Sequence, residues 1–343
     1  MNDSAATWGE AKCLEALKEP ESLENVPKSF LTIRHPRMKT VLTIQATICN
    51  ALRESLAEQG FIEVLAPIIG PCTDPGIRGA RQATVDYFGR TYKVMSSAIL
   101  YKQMAVAALK KMFFFSPNIR MEPLETAKTG RHLCEFFQVD VEEADASYLD
   151  AISVAEKLLH HVLKRTLELH EKDLASLSRK LAVPEIPFKR FTHHEAVELL
   201  RSKGHDASHS EELTWSNEQA ISSMFDSPFF VYDYPRGSRG FYDREDPRRP
   251  GILRDFDMIY PEGYGEAASG AERENDYEIV ARKMRAGGEN PASYEWYMEM
   301  LKLGVPESAG FGIGVERLTR YVCGLKSIWA ARPFPKVAGI WSP

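Results

Sequence analysis

The most informative part of the sequence is a pair of neighbouring segments, Asn118-Ile-Arg120-Met-Glu122 and Gly130-Arg131-His132-Leu-Cys-Glu135-Phe136-Phe-Gln138-Val-Asp140. Side chains two residues apart on a strand point to the same side, so Arg120 and Glu122 face together. An arginine there can bind a phosphate through two hydrogen bonds, and the carboxylate can accept one from an adenine amino group. Arg-x-Glu alone is also typical of a surface ion pair on a hairpin. The returning segment, with Phe136 available for stacking, favours a nucleotide site.

A second segment is rich in glycine, Gly310-Phe-Gly312-Ile-Gly314-Val-Glu316-Arg317. Glycines at alternate positions of a strand leave room for a flat ligand on the sheet. Arg317 opens the following helix, where the positive end of the helix dipole favours a phosphate. A glycine-rich turn before a core helix is the common alternative.

A third group offers oxygen ligands. Asp257, Glu266 and Ser269 are of the type that holds Mg²⁺ on ATP phosphates, because this hard ion prefers oxygen and takes few protein carboxylates. A solvated acidic loop is the alternative. Ser269 and Arg273 lie on one face of a predicted strand, so Arg273 should reach the same cleft.

Composition narrows the class of protein. The 343 residues suit one large catalytic core with an insertion, or two domains. Forty-three basic against 48 acidic side chains give a net charge of −5, which argues against binding nucleic acid through a broad basic surface. The sequence contains neither a signal peptide nor an apolar run of about 18 residues. Five cysteines without a Cys-x-x-Cys pair indicate neither a disulfide framework nor a zinc site. We therefore expect a cytoplasmic protein with no membrane contact.

The three segments resemble motifs 2 and 3, and the strand before motif 3, of class II aminoacyl-tRNA synthetases of the aspartyl, asparaginyl and lysyl subgroup. Gly60-Phe-Ile-Glu-Val-Leu-Ala-Pro67 resembles motif 1, which forms the dimer in that family. The resemblance runs from about residue 34 to 341. It implies an α+β fold, the class II synthetase core, with an antiparallel sheet flanked by helices and a helical insertion at about 146–228. It also implies a homodimer.

The resemblance further implies a division into two parts. Residues 1–38 are expected to be an N-terminal extension without an anticodon-binding barrel, and residues 39–343 the catalytic domain. The implied chemistry is in-line attack of a carboxylate on the α-phosphate of ATP, which gives an acyl-adenylate and pyrophosphate. Positioning and charge neutralisation do most of this work.

Roles for individual residues follow from the same resemblance. Arg120 and Arg317 are the expected catalytic residues, with Arg120 on the α-phosphate and Phe136 stacked on adenine opposite Arg317. The remaining implied contacts are Glu122 to the adenine amino group, Arg131 and His132 to the outgoing phosphates, and Glu266, Ser269 and Asp257 to Mg²⁺.

The predicted substrate pocket contains two cations. Its expected members are Ser97, Lys102, Gln138, Asp140 and Arg273, with Asp140 facing the substrate ammonium. Because an unpaired buried charge is costly, Lys102 and Arg273 together predict a dicarboxylate. The alternative is that Lys102 extends from a helix to solvent.

Two departures from the family point to a paralogue. Ser96-Ser-Ala-Ile99 and Cys72-Thr-Asp-Pro-Gly-Ile-Arg-Gly79 differ from the tRNA-charging enzymes. The chain resembles the stand-alone archaeal-type asparagine synthetase, which implies that aspartate is adenylated and ammonia releases asparagine, AMP and pyrophosphate. Nucleic acid is then not an expected partner.

Three alternatives remain open at this stage. One is a related ligase that joins another acid or amine. Another is a truncated synthetase-like enzyme acting on RNA, with these cations available for phosphates: Arg34, Arg37, Lys39, Arg236, Arg239, Arg248 and Arg249. The last is a binding protein that keeps the fold without turnover, against which the intact Arg120, Glu122, Glu266 and Arg317 argue.

Overall fold

The computed structural model describes residues 21–75, 79–237 and 239–342. Its strands are β1 (Ile62–Glu63), β2 (Ile69–Gly70), β3 (Thr84–Tyr87), β4 (Arg90–Val94), β5 (Lys111–Ile119), β6 (Glu135–Ala144), β7 (Lys189–Thr192), β8 (Phe229–Tyr232), β9 (Asp255–Tyr260), β10 (Gly265–Glu272) and β11 (Ser308–Gly314). Eight of them form one sheet in the order β1-β5-β6-β11-β10-β9-β8-β7, and β2-β4-β3 form a small second sheet.

Helices cover this sheet. The main ones are α1 (Pro36–Glu58), α2 (Ile99–Leu109), α3 (Tyr148–Ser176), α4 (His193–Ser202), α5 (Trp215–Ser222), α6 (Tyr277–Ala286), α7 (Glu295–Leu303) and α8 (Val315–Cys323). Shorter helical turns are Leu23–Lys28, Ser29–Thr32, Leu124–Thr129, Pro291–Tyr294 and Ile328–Ala331. None of the helices in the described ranges is long and apolar enough to span a bilayer.

Burial follows helical periodicity. On α1, Val41, Ile44, Ile48 and Leu52 recur every three or four residues, and each is at most 1% exposed. Together with the apolar side of α3 they form the main core against the sheet. This confirms the predicted α+β architecture. The sheet differs from a purely antiparallel one at its two edges, where β1–β5 and β7–β8 pair in parallel.

The predicted insertion at about 146–228 is part of this architecture. Its first helix, α3, packs on α1, and its strand β7 extends the main sheet beside β8. The sequence Thr192-His-His-Glu195 predicts a capping box, and these residues form one at the start of α4. The segment 205–227 is polar and its pattern predicts no regular element, yet it contains α5. The sequence pattern also did not predict the helices α6 and α7.

The N-terminal part is described only in its second half. Residues 1–20 of the predicted extension lie outside the described residues. Helix α1 begins at Pro36 with His35 as its cap, so the predicted boundary at residue 38 falls inside a helix. Arg37, considered as a phosphate contact, is paired with Glu21 at 2.9 Å.

Candidate active site

A cavity of about 830 Å³ lies on the face of the sheet formed by β6, β10 and β11. With the exception of Asp257, every side chain predicted for the site lines it: Ser97, Lys102, Arg120, Glu122, Arg131, His132, Phe136, Gln138, Asp140, Glu266, Ser269, Arg273 and Arg317. Three segments far apart in the sequence therefore meet in one cleft. Side chains of the loop before β9 and of α6 complete its walls, among them Arg236, Tyr242, Arg282 and Lys283, and sequence reasoning did not assign them to it.

The end of the cavity that is predicted to bind the nucleotide lies around Arg120. Its Nε donates to the backbone oxygen of Ser96 at 3.2 Å, and its guanidinium lies 5.1 Å from the centre of the Phe136 ring. Burial raises the pKa of Glu122, and the nearby guanidiniums of Arg120 and Arg317 act in the opposite direction. Arg120, Phe136 and Glu122 are thus close enough to one another to contact the same nucleotide.

Arg317 reaches the same end from the start of α8. Its Nη1 lies 3.1 Å from Oε1 of Glu266 on β10. Of the predicted phosphate contacts, His132 is close by: its Nδ1 is hydrogen bonded to the Thr129 hydroxyl at 2.7 Å. Burial, with Arg317 and Arg131 nearby, lowers the pKa of His132 to about 4. This imidazole is therefore neutral at neutral pH and can offer hydrogen bonds but no positive charge.

Arg131 has a different environment from the one predicted. It is 5% exposed and bonds Glu218 of α5 at 3.0 Å, with its guanidinium also 5.4 Å from the Trp215 ring. It ties the loop before β6 to the insertion, although it still borders the cavity. Thr214, which caps α5 through the amide of Asn217, is the local signal that could have revealed this helix.

The end of the cavity that is predicted to bind the amino acid contains a buried charge network. Lys102 is 1% exposed, which excludes the alternative that it extends to solvent. Its Nζ lies 3.3 Å from Asp140 Oδ1 and 3.5 Å from Glu142 Oε2. Arg273 bonds Glu142 at 3.0 Å and Asp243 at 3.2 Å. Both cations already have carboxylate partners, so the premise that they require an anionic substrate was wrong.

Asp140 keeps one oxygen for a ligand. Its Oδ2 is buried without a hydrogen-bond partner among the described residues, while Oδ1 faces Lys102. Gln138, which lines the same wall, accepts a hydrogen bond from the Asn118 amide at 2.8 Å. Ser97 lies just before α2, where its Oγ accepts a hydrogen bond from the amide of Ile99 at 3.3 Å.

The glycines of β11 serve neighbouring side chains as well as the cavity. A Cβ at Gly310 would lie 2.1 Å from Glu142 Oε2, so this position must be glycine for Glu142 to reach Arg273. At Gly312 the nearest atom would be Asp140 Oδ1 at 3.0 Å. The expectation that these glycines make room only for a ligand is therefore incomplete.

The predicted Mg²⁺ ligands are held by arginines. Arg239 Nη2 bonds Asp257 at 2.6 Å and Nη1 bonds Ser269 Oγ at 2.9 Å. Glu266 is paired with Arg317 instead. Each of these three side chains is thus bonded to a guanidinium in this arrangement, and their role as Mg²⁺ ligands stays a prediction. A guanidinium supplies the positive charge beside Asp257.

Arg239 is held in a complete cage of acidic and aromatic groups. Besides Asp257 it contacts Glu212 at 3.0 Å and Asp255 at 3.3 Å, and it lies 4.2 Å from the Tyr234 ring. Burial raises the pKa of Asp255 to about 8, against the lowering effect of Arg239. With a side chain 8% exposed, Arg239 is not available to an RNA phosphate. Arg236 is available to such a phosphate, because its side chain is 64% exposed.

Comparisons with known proteins agree with this geometry. The family described as tRNA synthetases class II (D, K and N) matches residues 22–338. An asparagine–tRNA ligase of Pyrococcus abyssi is 35% identical over 337 residues, covering 95% of this chain and 76% of the relative. That of Pyrococcus furiosus is 36% identical over 326 residues, covering 92% and 74%.

Comparison with a solved structure points to the same family. Asparaginyl-tRNA synthetase from Pyrococcus horikoshii, complexed with asparaginyl-adenylate, superposes with a TM-score of 0.89 and 34% identity over 94% of this chain and 74% of that chain. The expectation that nucleic acid is not a partner was wrong, because relatives this similar over nearly the whole chain are ligases for tRNA. The net charge of the chain was a poor guide to nucleic-acid binding, because it does not describe local cationic surface.

Proposed function

Because this chain belongs to the class II tRNA synthetase family of the D, K and N type, we propose that it makes an aminoacyl-adenylate from ATP and transfers the aminoacyl group to RNA. The observation that carries the proposal is the convergence of Arg120, Phe136 and Arg317 in one cavity. The relative solved with asparaginyl-adenylate, 34% identical, supports it. The amino acid belongs to the aspartate and asparagine class.

The chain's own residues account for the first step. The substrate carboxylate attacks the α-phosphorus, and the bond from that phosphorus to the bridging oxygen of pyrophosphate breaks. Negative charge grows on the phosphate oxygens, where Arg120 and Arg317 stabilise it. Phe136 stacks on adenine, and Glu122 accepts a hydrogen bond from its amino group. Asp140 Oδ2, buried and unsatisfied, is placed to accept the substrate ammonium. MgATP enters as the substrate.

Amide formation is a second candidate. The observation that favours it is the position of Lys102 in the cavity wall, where its ammonium can turn from Asp140 to a carboxylate of bound aspartate. Ammonia or a small amine would then attack the acyl carbon of the adenylate, and AMP would leave. This reaction makes asparagine from aspartate, whereas tRNA charging with asparagine begins from asparagine.

One experiment separates the two candidates. Pyrophosphate exchange into ATP is measured with L-asparagine and with L-aspartate, and AMP formation is then followed with an RNA acceptor or with ammonium. Acyl-RNA that needs the RNA acceptor supports the first proposal. Free asparagine formed from aspartate and ammonium, with RNA having no effect, replaces it with the second. Absence of exchange with either amino acid contradicts both.

The choice of amino acid gives a prediction for Lys102. In Lys102→Met, exchange driven by aspartate is expected to fall by more than about tenfold relative to exchange driven by asparagine, because a lost charged hydrogen bond is worth about 1.5–3 kcal/mol. The ratio of the two rates is unaffected by partial unfolding. Lys110→Met, at the exposed end of the same helix, is the control. An unchanged ratio would remove Lys102 from substrate selection.

We also propose a homodimer formed by the segment after α1. Ile62, Leu65 and Ile68 are 50%, 93% and 62% exposed, and an apolar surface of this kind is typical of an interface. Leu65→Glu is expected to convert a dimer to a monomer in sedimentation equilibrium. Leu303→Glu, at an equally exposed leucine on α7, should leave the mass unchanged. A wild-type monomer at micromolar concentration would contradict the proposal.

A further inference from the structure

A second group of ligand-type side chains lies on the surface of the insertion. His194 and Glu198 are one turn apart on α4, and His209 follows in the next segment. One ligand atom from each lies within 4.8 Å of the others, and His209 Nε2 is 2.8 Å from Glu198 Oε1. None of the three borders the active-site cavity. We propose that they form a binding site for a divalent transition-metal ion of the Zn²⁺ class.

The chemistry of the three side chains matches such an ion. Two imidazole nitrogens and one carboxylate oxygen form a common zinc ligand set, which leaves a fourth position for water. Hard ions such as Mg²⁺ prefer oxygen alone and are disfavoured here. The two imidazole rings are stacked with centres 4.3 Å apart. This arrangement brings both rings to one side of α4, beside Glu198.

The site is held in place by the surrounding backbone. Arg201 Nε donates to the backbone oxygen of Ala207 at 2.8 Å, and the amide of His205 donates to Leu200 at 3.1 Å. Asn217 of α5 donates to the backbone oxygen of Asp206 at 2.9 Å. Ala207 is itself buried in the small core of the insertion. The segment that carries His209 is thus fixed on α4 by contacts that need no metal.

A bound metal would use a nitrogen that is hydrogen bonded in the present structure. In the present arrangement His209 Nε2 faces the Glu198 carboxylate, so this nitrogen carries a proton that it donates. A metal on Nε2 must displace that proton, because a nitrogen ligand binds through its lone pair. Arg201 Nη1, 3.8 Å from Glu198, is a weak competitor for the carboxylate.

The test is calorimetric titration of the full-length, untagged chain with ZnCl₂. We expect one ion per chain in the wild type, and a loss of affinity of more than about tenfold in His194→Ala and in His209→Ala, since even indirect ligand changes cost that much. His205→Ala changes an exposed histidine of the same segment that is not part of the cluster, and should bind as the wild type does.

A second measurement uses Zn²⁺-induced stabilisation. The ion should raise the melting temperature of the wild type and of His205→Ala, and chelator should reverse the shift. His209→Ala should melt as the metal-free wild type does, with or without zinc. Failure of the wild type to bind zinc, or equal binding by all variants, would overturn the proposal. The result does not depend on which acceptor the active site uses.

Discussion

Arg120→Ala is expected to lower the rate of ATP–pyrophosphate exchange by about 10²–10³-fold with little change in stability. The guanidinium is anchored by Ser96 and lies beside Phe136, at the end of the cavity where charge on the α-phosphate must be stabilised. A donor directed at charge that grows in the transition state affects the rate more than binding. The loss should therefore appear mainly in kcat.

Two further variants make this prediction specific. Arg120→Lys keeps the charge but loses the two-pronged geometry, so its rate should fall between those of alanine and arginine. Arg285→Ala, on the exposed side of α6, removes an arginine outside the cavity and should leave exchange unchanged. Exchange in Arg120→Ala within about threefold of the wild type would show that another group stabilises the α-phosphate.

Features with a local signal were predicted well. From local signals the sequence predicts a capping box at Thr192, a strand at Phe229–Tyr232 and a helix beginning near Val315. Each depends on residues within one or two turns, and each is present in the structure. That Arg120, Phe136 and Arg317 line one cavity was predictable for a related reason. Arg120, Phe136 and Arg317 lie at the ends of regular elements, and their spacing is a recognisable pattern.

Long-range charge pairing left no such signal. Arg239 contacts Glu212, Asp257 and Ser269, which lie 27, 18 and 30 residues away in the sequence on different elements. No periodicity connects them, so the sequence does not reveal that Arg239 pairs with two of the side chains predicted to bind Mg²⁺. Glu142 was missed in the same way, because the need for Gly310 beside it appears only when β6 and β11 are paired.

The cage of Arg239 leads to the second large effect. Arg239→Met is expected to lower the free energy of unfolding by about 3–5 kcal/mol near pH 8, because it leaves buried carboxylates without their cation. Asp255 makes this loss depend on pH. Its pKa is raised to about 8 in the folded chain, against an ordinary value of 3.8, so between these values the folded state holds a proton that the unfolded state has released. Stability from this group therefore falls as pH rises through that window.

Loss of Arg239 removes a group that lowers this pKa, so the folded variant should retain the proton to still higher pH. Asp255 is protonated in both folded proteins at about pH 5, so the difference between variant and wild type should be larger at about pH 8.5 than at about pH 5, by about 1 kcal/mol. Urea unfolding at both pH values measures it. Arg236→Met, in the same segment but 64% exposed and 3.4 Å from Glu245, should cost at most about 1 kcal/mol at either pH. A deficit in Arg239→Met that is equal at both pH values would contradict the role given to Asp255.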